Sequence, residues 1–174
     1  MKYNREQIEK NCEFTLDVIK RYDHYLATVN VKAGMLLSFL GVVLIVLINA
    51  WNKYSNPSTC FSGAIIMILF FINIALCLAS VYKVASIVYP NRGQASKSSS
   101  VVFYGSVSKM SIENFKGKIF QLEAHEQLDD LALQAHELAI ILDKKFEDLS
   151  QAVHFIKLYV LPSAALLITI LVLG

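Results

Sequence analysis

The chain has 174 residues, of which 55% are hydrophobic and 17% charged, against about 25% charged in an ordinary soluble domain. With a mean hydropathy of +0.49, a single core at this length cannot hide so much apolar surface, so part of it faces something other than water. Three Cys, 7 Gly and 3 Pro exclude a disulfide scaffold and a collagen-like chain, and a net charge of +2 is far from the basic excess that a nucleic-acid binder needs.

Residues 1–32 read as a cytoplasmic N-terminal helix. Ile8, Cys12, Thr15, Ile19, Tyr22, Leu26, Val29 and Ala33 alternate in steps of four and three, a heptad seam that runs without a breaker into the first apolar run. One continuous helix from Glu6 to Ala50 would be about 68 Å long, so more than half of it projects beyond the roughly 30 Å hydrocarbon layer. Residues 33–51 are the first transmembrane helix, closed by Trp51 as an interfacial anchor. Gly34, Ser38 and Gly41 on this span let another helix approach closely, within or between subunits. The 32 residues before it carry many charges and no A-x-A-like cleavage site follows it, so it reads as a retained anchor rather than a signal peptide.

A short external loop, 52–60, leads to the second transmembrane helix at 61–84, the most hydrophobic stretch of the chain. Asn73 lies in the middle of this span, where an amide needs a partner across helices, and reads as interhelical glue. Tyr89, Pro90, Asn91, Arg92 and Gly93 stop the helix. Residues 85–157 form a cytoplasmic loop and long helix. Within them Gln94–Ser100 is a flexible polar loop, and Val101–Val107 is either an interfacial turn or a segment tucked against the stalk. Ser111 is placed to cap a short helix through Phe115 and Ile119. A second seam then follows, through Leu128, Leu131, Ala135, Leu138, Leu142, Lys145, Leu149, Ala152 and Ile156. It leads into the third transmembrane helix at 158–174, where Pro162 interrupts one backbone bond and is a hinge candidate. The fold class expected is an all-α membrane protein: three transmembrane helices with long cytoplasmic helical extensions forming a stalk or bundle.

Orientation follows from the basic residues. Six lie in residues 1–32 and nine in residues 83–157, against Lys53 alone in the loop between the first two spans. The N-terminus and the middle segment are therefore expected in the cytoplasm, with the C-terminus outside. Cys12 would then be cytoplasmic, Cys77 intramembrane and Cys60 near the outer face, which leaves an intersubunit Cys60 link as the one disulfide open to the chain.

The chain offers no catalytic constellation. His125-Glu126-Gln127-Leu128-Asp129 begins like a zinc-protease helix but lacks the second His four residues on, and His125 with His136 has no third ligand in register, so no metal and no cofactor are expected. Glu123, Glu126, Asp129 and Asp130 read as the outer face of a stalk helix. Lys145 is the most informative residue, because it occupies a seam position otherwise filled by Leu, Ala and Ile. By helical rise, Lys145 lies about 20 Å below Leu158 and Tyr22 about 17 Å below Ala33. Arg21, Tyr22, Lys145 and Phe146 are thus a candidate ligand site, with cations for a phosphate and rings for a base. A salt bridge from Lys145 to Asp17 or Asp23 is the competing reading.

Several landmarks together resemble a known family, the Pycsar transmembrane effectors. They are Asn30-Val31-Lys32-Ala33 entering the first span, Tyr89-Pro90 after the second, Phe103-Tyr104-Gly105, and Lys145-Phe146 with Leu149 and Ala152. Their order and spacing match from about Asn30 to the last span. The motif positions carried over are Lys32, Ala33, Pro90, Phe103, Tyr104, Gly105 and Lys145, and the departure is Asn30, where the resemblance leads one to expect an Asp. The resemblance implies a bacterial antiphage system in which a neighbouring pyrimidine cyclase makes cyclic UMP or cyclic CMP on infection and the effector then impairs the inner membrane. The function expected is therefore a non-enzymatic effector of abortive infection. It would sit in the inner membrane as a homo-oligomer, since three helices are too few to enclose a pore. Two alternatives stand beside it: a membrane effector gated by a different cyclic nucleotide, and a membrane-anchored coiled-coil scaffold with no small-molecule ligand.

Overall fold

The computed structural model describes residues 5–54, 60–89 and 100–173, and in these segments the chain is helical, with no strand. Residues 55–59 of the loop expected to be external, Pro90 and the polar run at 94–99 lie outside the described residues, as does the Cys60 side chain. Helix α1 spans Arg5–Tyr54, α2 Cys60–Val88, α3 Tyr104–Val107, α4 Ile112–Gln121 and α5 Ala124–Phe155. A π turn at Ile156–Val160 joins α5 to α6, Leu161–Leu173. Three of these helical stretches are long and apolar enough to cross a membrane. Helix α1 is 50 residues without a break, about 75 Å at the α-helical rise. It therefore carries both the N-terminal seam and a stretch apolar enough to span a membrane, as the uninterrupted periodicity predicts.

The chain divides into two compact units. The first comprises residues up to Thr28 and from Pro90 to Lys144, the second Val29–Tyr89 and Lys145–Gly174. In the first unit the seam of α1 is buried at Cys12 and half-buried at Thr15, Ile19, Tyr22 and Leu26. Its outer face carries pairs one turn apart, Arg5 with Glu9 at 3.2 Å, Lys10 with Glu6 at 2.7 Å and Lys20 with Asp17 at 2.9 Å. Such exposed pairs add only a few tenths of a kcal/mol each, about 0.3–0.5, so the buried seam is what makes this helix more than a solvated rod. Ser111 caps α4, its hydroxyl accepting from the Asn114 amide at 3.2 Å. Helix α5 starts with one half of a capping box, in which the Glu126 carboxylate accepts from the Glu123 amide at 3.1 Å.

The second unit is a helix bundle with a polar spine. On α2 the buried residues are Phe70, Asn73, Cys77, Ser80, Val84 and Ile87, a run of alternating three- and four-residue steps that keeps one stripe turned inward. On α1 the inward stripe continues through Val29, Ala33, Leu40 and Leu47. Trp51 stacks on Phe70 with ring centroids 4.7 Å apart, so the anchor at the end of the first span also packs against the second. The opposite faces carry exposed Met35, Phe39, Ile45, Ile68, Phe71 and Leu166. An apolar exterior around an equally apolar interior is what a lipid solvent permits.

Two polar features hold this bundle in register. Asn73 donates to the Ser163 carbonyl at 3.3 Å and to the Leu69 carbonyl at 2.9 Å, while the Ser163 hydroxyl donates back to Asn73 Oδ1 at 3.0 Å. The predicted glue is therefore a two-way bond between α2 and α6. The second feature is the π turn immediately before Pro162. A proline supplies no amide and crowds the carbonyl one turn earlier, and a π turn absorbs that defect by widening the ring with one extra residue. The buried positions record the insertion: Leu149, Ala152 and Ile156 step by three and four, but the next buried residue is Val160 rather than Tyr159. The small residues of α1 have a different outcome. A Cβ built on Gly34 or Gly41 would meet nothing within 4 Å, and the Ser38 hydroxyl bonds its own helix at the Gly34 carbonyl, at 3.1 Å. Among the described residues, no helix uses this stripe for close approach.

Replacing Asn73 by Ala removes the donor and the acceptor of the α2–α6 pair together. The expected loss is about 1 kcal/mol for each bond forfeited, visible as a lower thermal midpoint in detergent. Ser163→Ala removes only the hydroxyl and should cost less. An Asn73→Ala protein as stable as the parent would show that the pair does not hold these helices.

Candidate functional site

Lys145 lies on the inward face of α5 with only 9% of its surface exposed. Its neighbours decide what such a burial can mean. The ammonium donates to Asn30 Oδ1 on α1 at 3.1 Å and, more closely, to the backbone carbonyl of Ile87 on α2. Ile87 sits one residue before the end of α2, where a carbonyl has no amide of its own helix to accept from. Lys145 therefore caps α2 from another helix, with its positive charge at the negative end of the α2 dipole. Both of its hydrogen-bond partners are neutral. Burial accordingly pulls the Lys145 ammonium below the usual lysine range, and Asp148 opposes the shift from a distance.

The salt bridge weighed for Lys145 is not the arrangement found. The Asp17 carboxylate is engaged by Lys20 on its own helix, and Lys145 reaches Asn30, eight residues further along α1 than Tyr22. Asn30 is also the one position at which the chain departs from the expected motif. An Asp there would neutralise the ammonium, whereas Asn leaves a buried cation solvated by dipoles alone.

The other residues proposed from sequence fall as follows. Arg21 is exposed and Tyr22 half-buried, both in the first unit; Phe146, in the second, is 42% exposed. Of the motif positions, Lys32 is exposed, Ala33 is fully buried, and Pro90 lies outside the described residues. Phe103, Tyr104 and Gly105 form the start of α3, and a Cβ on Gly105 would come within 2.5 Å of the Phe103 ring. Glycine here is thus the space into which that ring folds. Pro162 is the second residue of α6, directly after the π turn.

A second cluster, wholly within the first unit, surrounds the start of α5. The Asp130 carboxylate accepts from the Val101 and Val102 amides at 2.9 and 3.2 Å. The buried Ser100 hydroxyl accepts from the Val102 and Phe103 amides at 3.2 and 2.9 Å. Of the two readings of this segment, the tucked one is correct. Asp130 is correspondingly not part of an outer face: it is the tether that pins residues 100–103 to α5. Nothing in its sequence context marks it, because its partners are backbone amides. Between this tethered segment and α5 lies a cleft of about 500 Å³, also lined by Lys118, Leu122, His125 and Asp129. The His125 imidazole lies 3.2 Å from the Glu123 carboxylate. Among the described residues, no group of three His, Cys, Asp or Glu side chains is placed to hold a metal ion.

Comparison with known proteins gives a consistent result. Residues 14–173 match the Pycsar effector protein domain, a span that includes Lys145, Asn30, Asn73 and the tethered segment. The Pycsar effector protein EcPycTM of Escherichia coli is 29% identical over 161 residues, which is 87% of each chain. No solved structure matches the chain.

The buried ammonium has a signed pH dependence. Because the folded state depresses its pKa, the charged form costs stability at every pH below the lowered value, and the cost fades as pH rises from there to the unfolded value near ~10.4. Measured in detergent, the stability of the parent relative to Lys145→Met should rise as pH increases through that window. A difference that stays flat, or falls, would contradict a depressed lysine.

Proposed function

Because the chain belongs to the Pycsar effector family, a group of antiphage membrane effectors, we propose that it is switched on by a cyclic pyrimidine mononucleotide, cyclic UMP or cyclic CMP. The nucleotide is the product of a partner cyclase that responds to infection, and the consequence is loss of inner-membrane integrity and abortive infection. The observation that carries this reading is the extent of the family match, from residue 14 to residue 173, which takes in the cytoplasmic helices and the membrane spans together. The family's role therefore attaches to the whole device rather than to a generic membrane anchor.

The mechanism proposed uses the helices that are continuous along the chain. The N-terminus and the segment 83–157 are cytoplasmic, by the placement of six and nine basic residues there, respectively, against one in the external loop. A nucleotide that binds the cytoplasmic portion more tightly in one arrangement of α1 and α5 than in another shifts the population toward that arrangement. Residue Lys145 then acts as the tie that the shift releases, since it holds α1, α2 and α5 together through bonds of modest strength to neutral groups. Three spans do not enclose a pore, so the permeable state is a homo-oligomer. The ligand residues expected from the sequence divide between the two units, Arg21 and Tyr22 in the first and Lys145 and Phe146 in the second, and Lys145 is already bonded to Asn30 and Ile87.

The test is release of a quenched dye from liposomes of bacterial phospholipid carrying the purified full-length protein. Cyclic UMP or cyclic CMP is expected to trigger release, with cyclic AMP and cyclic GMP inert. No release with any of the four would overturn the permeabilising step, and release by a purine nucleotide alone would overturn the pyrimidine assignment.

A further inference from the structure

The second unit is almost free of negative charge. No Asp or Glu occurs between Asp23 and Glu113 or beyond Asp148, so this unit holds only Glu147 and Asp148 against Lys32, Lys53, Lys83, Lys145 and Lys157. Lys83 and Lys157 each stand directly beside an apolar run, after Tyr82 and before Leu158. Both are exposed, and among the described residues neither makes an ion pair. Glu147 accepts from Gln151 on its own helix. It and Asp148 precede Lys157 by at least nine residues, about 14 Å of helical rise. The chain therefore brings no counter-ion of its own to this edge of the spans.

Lys83 also has a shaped surround. Its ammonium lies 5.4 Å from the centroid of the Phe155 ring, and that ring packs on Tyr159 with centroids 5.0 Å apart. Phe155 ends α5 and Tyr159 belongs to the π turn, so the cluster joins α2 to the point where a charged helix gives way to an apolar one. Long helical side chains lean toward the N-terminus of their helix, and the N-terminal part of α2 is its apolar part, which is why Lys83 reaches Phe155. The ring orients the ammonium without neutralising it, and N–H donors remain for an anion. Tyr159 is 48% exposed, and a tyrosine with an apolar body and a polar tip suits the membrane–water boundary.

We propose that Lys83, flanked by Phe155 and Tyr159, binds the headgroup phosphate of an anionic phospholipid. The lipid supplies the negative charge that the chain lacks here, and Lys157 adds to the attraction from the same edge. A zwitterionic headgroup carries its own ammonium and gains less. Beyond this edge α2 and α6 expose Ile72, Leu78 and Leu166, the kind of surface that acyl chains cover, whereas a free phosphate gains the charge alone. The site is one turn of α2 from Ile87, whose carbonyl Lys145 caps, so an occupied headgroup steadies the same helix end.

Native mass spectrometry of the full-length protein, released from detergent micelles holding equal phosphatidylglycerol and phosphatidylethanolamine, tests the site. The parent is expected to retain phosphatidylglycerol about fivefold in preference, and excess inorganic phosphate should not displace it. Lys83→Gln should bring the two lipids to parity with an unchanged thermal midpoint, because the residue is exposed. Lys144→Gln, an exposed lysine of the first unit, should keep the parent's preference. Equal retention of both lipids by the parent, an undiminished preference in Lys83→Gln, an equal loss in Lys144→Gln, or displacement by inorganic phosphate would each overturn the proposal. No nucleotide enters the measurement, so its outcome is independent of the nucleotide reading.

Discussion

One ammonium group organises the base of the bundle. Lys145 joins α5 to the side chain of Asn30 on α1 and to the open end of α2 at Ile87. A lysine in that position is costly, because its charge leaves water for a site whose acceptors are an amide and a carbonyl. The cost is offset where the donor is most useful: a helix end buried without a partner would forfeit a carbonyl bond, and the Lys145 side chain supplies it. The same arrangement makes the contact reversible. Neutral acceptors bind an ammonium less tightly than a carboxylate does, so the three helices are joined without being locked.

Higher in the bundle the same rule recurs in a different form. Polar groups among apolar helices must be satisfied by one another, and Asn73 with Ser163 does this by exchanging two hydrogen bonds. Ser163 follows Pro162 directly, and the π turn precedes it. The extra residue of that turn carries the inward stripe from Ile156 to Val160, so the bundle keeps a buried face through a proline that would otherwise interrupt it. Irregular backbone thus sits between the two polar ties, where the charged helix α5 gives way to the apolar helix α6.

Much of this was readable from the chain alone, and the reasons are specific. Spans and seams are legible because they are periodic: the steps of three and four from Ile8 to Ala33 and from Leu128 to Ile156 are visible without coordinates. Lys145 and Asn73 are legible as anomalies, since each is polar where its neighbours are apolar. Their partners are not. Ile87 contributes a backbone carbonyl, which has no sequence signature, and Ser163 is fixed only by the register of α2 against α6. Asp130 was misleading for a related reason, as one of four carboxylates on a helix that otherwise looks solvated, distinguished only by the amides of Val101 and Val102. Pro162 announces a defect but not its geometry. The small residues Gly34 and Gly41 show the converse, a recognisable pattern that no neighbouring helix among the described residues uses.

These features fit an effector better than a static anchor. Helices α1 and α5 each run without a break from charged sequence toward an apolar span, and the tie between them and α2 is made by bonds that a modest differential affinity can outweigh. The measurement that tests this most directly is hydrogen–deuterium exchange of the last turn of α2, Val84–Val88, in lipid nanodiscs with and without saturating cyclic UMP or cyclic CMP. If the nucleotide releases Lys145 from Ile87, exchange there should accelerate on binding. Exchange that is unchanged or slower while the nucleotide is bound would contradict the account.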